Sequence, residues 1–570
     1  MKSEYKKIDE TGSPAVYTPG TGESFPFDVL NAHLWVTAET QTWYNNVEKE
    51  SDSYLYTKAI VHRQGMGTGK GLLGYETVSV TDKRNRMAKF TFDPKKYGVL
   101  TKIEKPDTKI ENTFYVETDT GNKLAIVRPT QQKTTDLLKN NVITTNYLSY
   151  DAYNQPLSIE TEYGSGSGTK TKQEYQYSNT NTGSGSTTVY VLGLTTEEKT
   201  TNTRGGSSWI DKTVTTYTNF RPATKTIFTG AAGTLQTGYE TFGYDTEGNL
   251  TNHTFKPYTS TNTLTASYTY DSNKRWIVTA TDPMGLATSY GYDVLGRKTT
   301  VSDYLNQTTT FEYDALDRQT KITAPSGIGL IVQKAFAWNS ANNGSIISIT
   351  STATQQPATV AYMDAFGRTT RESEMGFNGA YIHTDYDYDQ YGRLDKKTDP
   401  YTATKLYASY LYDAYDRLTQ ETLPSSRTIT IAYSGNTVTT VDAGMSTSKT
   451  FDAAGTLMQT ADPAGTITYT YRPDGQPSKV KTPDNVETTF AYDTYGRQTS
   501  IVDPSAGTIQ YQYNNEGLLY KQINARNQTI EYQYTNWGQP LKIISPEQTV
   551  DYTYHTTYKD RLNKITAGAH

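Results

Sequence analysis

Apolar and polar residues alternate one by one along most of the chain, in short runs that each end at a polar turn. Around Tyr268 and Tyr270 the run is "SYTY", at Tyr469 and Tyr471 "YTY", and at Tyr511 and Tyr513 "YQY". A period of two places those tyrosines on one face of a β-strand. An Asp-x-x-Gly stretch follows, which suits a type I turn whose Asp side chain bonds nearby backbone amides. A second alternating run comes next, such as "RKTTVSD" or "RQTSIVD". The chain then turns again at "DPMG" (Asp282–Gly285), "DPAG" (Asp462–Gly465) or "DPSAG" (Asp503–Gly507). Two strands and two tight turns make a β-hairpin.

That hairpin recurs. Its leading aromatic or equivalent falls at Tyr150, Tyr177, Tyr217, Tyr244, Tyr270, Tyr292, Tyr313, Trp338, Met363, Tyr388, Tyr412, Tyr433, Phe451, Tyr471, Tyr492, Tyr513, Tyr534 and Tyr554. The last steps are 20 or 21 residues and the earlier ones mostly 21 to 27, with a 40-residue gap after Tyr177. The fullest copies are "YDTEGNL" (Tyr244, Asp245, Gly248), "YDVLGRK" (Tyr292, Asp293, Gly296, Arg297), "YDALDRQ" (Tyr313, Asp314, Arg318), "YDQYGRL" (Tyr388, Asp389, Gly392, Arg393), "YDAYDRL" (Tyr412, Asp413, Arg417) and "YDTYGRQ" (Tyr492, Asp493, Gly496, Arg497). A lone hairpin is only marginally stable in water. Successive hairpins are therefore expected to pair side by side in one antiparallel sheet that twists and curls, with tyrosines stacked on tyrosines across strands. Arg297, Arg368, Arg393 and Arg497 are expected to pack over neighbouring tyrosines or to bond an Asp of the next unit. A β-propeller would need about 42 residues per four-stranded blade; the even 21-residue steps, without alternation of odd and even copies, argue against it. Two Gly/Ser/Thr-rich stretches, Tyr163–Lys172 and Asn179–Thr188, interrupt the spacing and read as long hairpin tips.

Composition changes this picture in one respect. Apolar residues make up 35 % of the 570, against the usual share of about 45–50 %. Tyrosine, with 48 copies, compensates in part, because its ring buries while its hydroxyl stays hydrated or bonded. Disordered chains lack aromatic and β-branched residues, so the chain reads as folded and β-rich. A net charge of −5, without long blocks of one sign, gives no electrostatic footprint for nucleic acid or an anionic membrane. With no cysteine there are no disulfides or thiolate metal sites. No 18-residue apolar run predicts a transmembrane helix. The opening "MKSEYKKIDETGSPAVYTPG" lacks the apolar segment of a secretory signal, so either export uses another route or the chain is a piece of something longer.

Candidate chemistry is sparse. "GMGTGKGLLG" invites a phosphate-loop reading, but a Walker loop would need glycine where Gln64 stands and a hydroxyl residue where Gly71 stands. Gly69, Gly71 and Gly74 spell G-x-G-x-x-G, yet "YETVSVTD" after them reads as a strand where a dinucleotide fold needs a helix. The cluster is read as a structural turn. Asp385, Asp387 and Asp389 alternate with Tyr386 and Tyr388, which puts three carboxylates on one strand face, either solvated or bridged by a cation. An EF-hand loop is excluded because Gln390 and Lys396 occupy the positions that need Gly and Glu. His33, His62, His253, His383, His555 and His570 share no metal-ligand spacing. A Ser-His-Asp set is open from sequence, but no nucleophile-elbow motif supports one. Reactive groups do not come in a dozen copies, so the expectation is a protein that is not an enzyme and holds no cofactor or metal.

The phased "YDxxGRL" copies resemble the YD repeat of Rhs proteins, Tc-toxin C-type subunits and teneurins, over about residues 140–560. "YLYTKAIVHRQGMGTGKGLLGYETVSVTD", Tyr54 to Asp82, resembles the region that precedes the repeats in that family. The resemblance implies an all-β repeat protein: consecutive antiparallel hairpins in one spiralling sheet around a hollow, open or incomplete at its C-terminus. Toxin members close with a core-end motif and a variable effector, whereas this chain stops at "RLNKITAGAH". The expected division is a strand-rich cap or linking segment at 1–50, a pre-repeat region with the GKGLLGY motif at 51–140, the YD shell at 141–562, and a truncated end at 563–570. The expected function is the non-catalytic shell of a secreted bacterial Rhs/Tc-like polymorphic toxin, holding a C-terminal effector polypeptide until delivery. The alternative is a surface or adhesion protein whose repeats form a rigid spacer or a glycan- or protein-binding scaffold. Expected partners are its own C-terminal effector or remaining shell segment, and a secretion or delivery-apparatus protein.

Overall fold

The computed structural model describes residues 2–7, 15–18, 27–29, 35–44, 47–62, 71–119, 124–182, 189–339 and 344–569. Among them are 46 strands and one short 3-10 turn, Pro94–Lys96. Pairing is almost entirely antiparallel between strands adjacent in sequence, as the alternating runs require. The strand Glu487–Tyr492 pairs with Gln498–Asp503, which pairs with Gly507–Tyr513 in turn. One short parallel pairing, Tyr17–Thr18 with Tyr56–Thr57, departs from the pattern. The fold is thus the all-β hairpin repeat expected from the sequence. Among the described residues no helix is long and apolar enough to cross a membrane.

Alternation sets the two faces. In Leu264–Tyr270 the side chains of Leu264, Ala266, Tyr268 and Tyr270 are half-buried, while Thr265, Ser267 and Thr269 are exposed. Only eleven apolar side chains are buried among the described residues, eight of them between Val16 and Val61, so the repeats themselves carry no dry core. The chain exposes 32664 Å², about 1.6 times the roughly 20,000 Å² of a compact protein of 63.6 kDa. Stability must therefore come from nearest-neighbour contacts along the strip.

The chain divides into two compact units. The first comprises Met1–Lys172, Asp387–Lys397 and Tyr407–Pro463; the second comprises Gln173–Tyr386, Thr398–Leu406 and Ala464–His570. Among the described residues the first holds an apolar cluster formed by Val16, Tyr17, Val36, Ala38 and Ala59 with Tyr56 and Tyr75 packed against it. Tyr17 is usable there because its hydroxyl accepts the Ala59 amide at 3.1 Å.

Candidate functional site

The turn after the tyrosine is built the same way in the fullest copies of the repeat. In Asp293–Arg297 the Asp293 amide donates to the Arg297 carbonyl (3.0 Å), and the Gly296 amide donates to the Asp293 carbonyl (3.0 Å). The Asp293 carboxylate accepts the amides of Leu295 and Arg297 through Oδ1 and the Arg297 Nε through Oδ2 at 2.7 Å. Asp314, Asp389, Asp413 and Asp493 repeat all three bonds with Arg318, Arg393, Arg417 and Arg497. Asp245 does the same with the Gly248 and Asn249 amides and the Asn249 side chain. The fourth residue is left-handed in every case: Gly248, Gly296, Gly392 and Gly496 have φ between 80° and 97°, which glycine adopts without strain. Burial raises the Asp293 and Asp389 carboxyls, but the Arg side chain and amide bonds outweigh it and hold both below the usual range. The arginine's first partner is the Asp of its own turn, which was not expected. Arg297 and Arg393 also bond an Asp of the next unit as expected, Asp317 at 2.7 Å and Asp416 at 2.9 Å.

The tyrosine ties one hairpin to the preceding one. A bulge beside it, as between Ala491 and Tyr492, shifts the ladder by one residue and re-aims the side chain. The Tyr513 hydroxyl then donates to the Gln498 carbonyl (2.8 Å), Tyr492 to Pro477 (2.6 Å), Tyr412 to Leu394 (2.9 Å), Tyr313 to Lys298 (2.9 Å) and Tyr292 to Ile277 (2.8 Å). Over the ring lies the guanidinium of the preceding turn: Arg497 over Tyr513 (4.8 Å), Arg393 over Tyr412 (4.7 Å), Arg297 over Tyr313 (5.0 Å) and, more distantly, Arg221 over Tyr244 (5.9 Å). Tyr388, half-buried, closes the strand Tyr381–Tyr388. The expectation of tyrosine stacked on tyrosine is thereby corrected. Strand twist and the bulge bring each ring under an arginine and its hydroxyl onto a backbone carbonyl.

Turns also meet turns far apart in sequence. In the second unit Tyr258 packs edge-on against Tyr495 (5.5 Å between centroids), and the Ser260 hydroxyl donates to Glu516 (2.7 Å). Trp537 Nε1 donates to the Pro283 carbonyl (3.3 Å), and the Tyr304 hydroxyl donates to Asp560 (2.6 Å). In the last three pairs the partners lie 254 to 256 residues apart, about twelve hairpins along the strip. One side of this contact is the third residue of an Asp-x-x-Gly-type turn (Tyr495, Glu516, Trp537). The other side comes from the intervening turns, mostly from their second residue (Tyr258, Pro283, Tyr304). In the first unit Arg84 and Arg86 both bond Asp416, Arg86 at 2.9 Å, and Arg84 lies 4.0 Å from the Tyr391 ring. Sequence reasoning missed that Asp82–Arg86 is itself a turn of the repeat type. Asp82 accepts the Arg84 and Arg86 amides and the Arg86 Nε, and Asn85 has φ 60°. The "DKRNR" stretch carried that signal without a preceding tyrosine.

The three carboxylates expected on one face part company. Asp385 is 1 % exposed, so the solvated face expected for it is corrected. The loop after Thr398 folds over the strand and brings Tyr401 (2.8 Å) and Lys405 (2.7 Å) onto Asp385 Oδ2, opposite a two-pronged Arg371 (2.5 and 3.0 Å). Burial would raise this carboxyl, but Arg371, Lys405 and Tyr401 pull it down to about 2. Asp387 is half-buried in the same strand, and Asp389 caps its turn. His383 Nδ1 bonds the buried Ser373 hydroxyl (2.7 Å), and burial followed by the Arg371 charge lowers the imidazole. Among the described residues no group of three His, Cys, Asp or Glu could hold a metal. Gly69 and Lys70 lie outside the described residues, as do His33 and His570, whereas Gly71–Asp82 is a strand in which Gly74 takes φ 125°.

These features define a wall of β-hairpins, latched hairpin to hairpin by a Tyr-Asp-Arg set. Residues 435–570 match the Teneurin YD-shell family, and residues 270–303 and 299–328 match the RHS Repeat family; the repeats are of this RHS/YD kind. No curated relative matches the chain in sequence. Among solved structures it is similar to TcdB2-TccC3-TEV, with TM-score 0.68 and 11 % identity over 89 % of this chain and 40 % of that one. It is also similar to TcdB2-TccC3-Cdc42, with TM-score 0.62 and 11 % identity over 100 % and 42 %. The Tc holotoxin pore of Photorhabdus luminescens gives TM-score 0.52 and 11 % identity over 94 % and 40 %. The likeness is one of fold, and the chain spans about two fifths of the length of those chains.

Proposed function

We propose that the chain is wall material of a YD-repeat container, in which the sheet surrounds and shields a polypeptide effector until delivery, in the manner of a toxin shell. The observation that carries this reading is a long hairpin-repeat sheet in which, among the described residues, only Trp209, Val360 and Ala408 are buried apolar side chains outside Val16–Val61. A wall gains nothing from thickness if its use is the space it bounds, and half-buried tyrosines can hold an unfolded guest without competing for its folding. Similarity in fold to TcdB2-TccC3 structures supports the toxin side of the reading. The proposed setting is a secreted or cell-surface protein of a bacterium, partnered by an effector, a further shell segment and a delivery apparatus. The match of residues 435–570 to the Teneurin YD-shell favours a second reading, a rigid surface scaffold for adhesion.

Small-angle scattering of the full chain tests the first reading. A solid particle of this length has a radius of gyration of about 25 Å; a wall around a lumen gives a clearly larger value and the oscillation of a shell. A compact value without that oscillation would sink the container. Protease protection of a flexible polypeptide joined after His570 then separates the readings, since a scaffold leaves it as exposed as in free solution.

A further inference from the structure

In the second unit the third residue of each covered turn docks against another row: Tyr495 on Tyr258, Glu516 on Ser260, and Trp537 on Pro283. At the same position in two other turns of that unit stand leucines, Leu295 at 68 % and Leu316 at 73 % exposure. Val294, next to Leu295, is also exposed. Nothing in the turn itself needs these side chains, because the Asp293 and Asp314 bonds use only the backbone of Leu295 and Leu316. Charged or polar residues are accepted there, as Glu247 and Glu516 show.

The opposite edge of the later row is complementary. Its turns carry Pro483, Pro504 and Pro546, all exposed, at the same second turn position from which Pro283 offers its carbonyl to Trp537 at the internal contact. The unit therefore displays one uncovered row of each kind, while its internal contact joins one row of each kind.

We propose that a second copy of the chain docks head-to-tail on this edge, with the proline tips around Pro483 and Pro504 of one copy seated on Leu295 and Leu316 of the other. The new contact continues the row-to-row contact already present inside the unit. It is heterologous, so each copy keeps one edge open and the assembly grows by addition rather than closing as a symmetric dimer.

Sedimentation velocity between about 1 and about 100 µM tests this, with two double variants. Leu295→Glu with Leu316→Glu blocks one edge, using a residue that this turn position already holds, exposed, at Glu247. Pro483→Glu with Pro504→Glu blocks the other. Circular dichroism spectra matching the parent establish that each variant is folded. The parent is expected to form a concentration-dependent ladder. Each variant alone is expected to bind its own kind at least about tenfold more weakly. Mixed together, the two variants restore one native edge pair and form a one-to-one complex that grows no further. A parent that stays monomeric overturns the proposal, as does a variant that associates like the parent or a mixture that remains monomeric.

Discussion

Two copies of the turn place an aspartate where Gly248, Gly296, Gly392 and Gly496 stand in others, and the same substitution should act differently at each. Asp317 and Asp416 both sit at the left-handed fourth position, with φ 61° and 65°. Replacing either by glycine relieves about 1 kcal/mol of backbone strain, of which about 0.7 kcal/mol is returned by the more flexible unfolded chain. The difference lies in the side chains. Asp317 meets one guanidinium, Arg297, with 69 % of its side chain exposed, a pair worth about 0–0.5 kcal/mol. Asp416 is 34 % exposed and meets Arg84, Arg86 and Arg393 together. At about 0.5–1 kcal/mol per contact, discounted for solvent, that network is worth about 2 kcal/mol.

Asp317→Gly should therefore be neutral to within about 0.5 kcal/mol, while Asp416→Gly should cost about 1.5–2 kcal/mol. The second loss should also be local. Hydrogen exchange followed by mass spectrometry should show faster opening of the segments around Arg84–Arg86 and Arg393, which Asp416 joins. Burial raises the Asp416 carboxyl, but Arg84 and Arg86 outweigh it and keep it below its ordinary value. Its contribution is therefore present at neutral pH and is lost as pH falls through that lowered value. High salt should shrink the difference between the two variants. Equal effects at both sites, or a stabilised Asp416→Gly, would refute the claim that ion pairing offsets strain there.

Asp385→Asn leaves the Arg371 and Lys405 charges without their anion under the 399–406 loop and should cost about 3–5 kcal/mol locally, read as lost exchange protection in Tyr381–Tyr388. With a carboxyl lowered from 3.8 to about 2, the parent should keep about 2 kcal/mol from this group above pH 4 and lose it as pH falls towards 2, a dependence absent from the variant. Tyr513→Phe keeps the ring under Arg497 but leaves the Gln498 carbonyl without its hydroxyl donor, which should cost about 1 kcal/mol in the chemical denaturation midpoint. Gly475→Ala and Gly517→Ala share φ near 82°, yet only at Gly517 would the new methyl come within 2.2 Å of the Tyr258 ring. The first should cost about 1 kcal/mol and the second clearly more, with exchange rising around Tyr258 only in the second.

The hairpins were legible because their signals are local. Alternation at Tyr268–Tyr270, Asp at the first turn position and Gly at the fourth act within a few residues, and each appears where the sequence placed it. The latch was only half legible. Tyrosine before the Asp and arginine closing most of the fullest copies showed that something repeats, but the hydroxyl's acceptor lies in the preceding hairpin and becomes visible only once the bulge sets the register. Asp385 shows the limit of period-two reasoning. Sharing a strand face with Asp387 and Asp389 says nothing about the loop that carries Tyr401 and Lys405 over one of the three. The Asp82–Arg86 turn was hidden for the opposite reason, since its local chemistry is complete but the tyrosine that announces the other copies is missing.

The row contact explains why the spacing is tightest where it is. A strand that gained one residue would turn its half-buried face outward, so extra residues collect at hairpin ends, as in the Tyr163–Thr169 tip closed by an amide bond of 3.0 Å. Lengthening a tip costs little by itself, because loop-closure entropy grows slowly with length. A tip that must also touch a partner row is not free in this way. Turns around Tyr495, Glu516, Trp537 and Tyr558 follow one another in steps of 21 residues, and these four meet the Tyr258–Tyr304 turns. The tips they meet do not share that period: between Tyr150 and Tyr270 the steps drift, although Trp209 lies under Arg472 and Tyr258 against Tyr495. Even spacing is thus the sequence trace of the contact on the Tyr495–Tyr558 side of the row. Leu295 and Leu316, with Tyr292 and Tyr313 also 21 residues apart, carry the same trace.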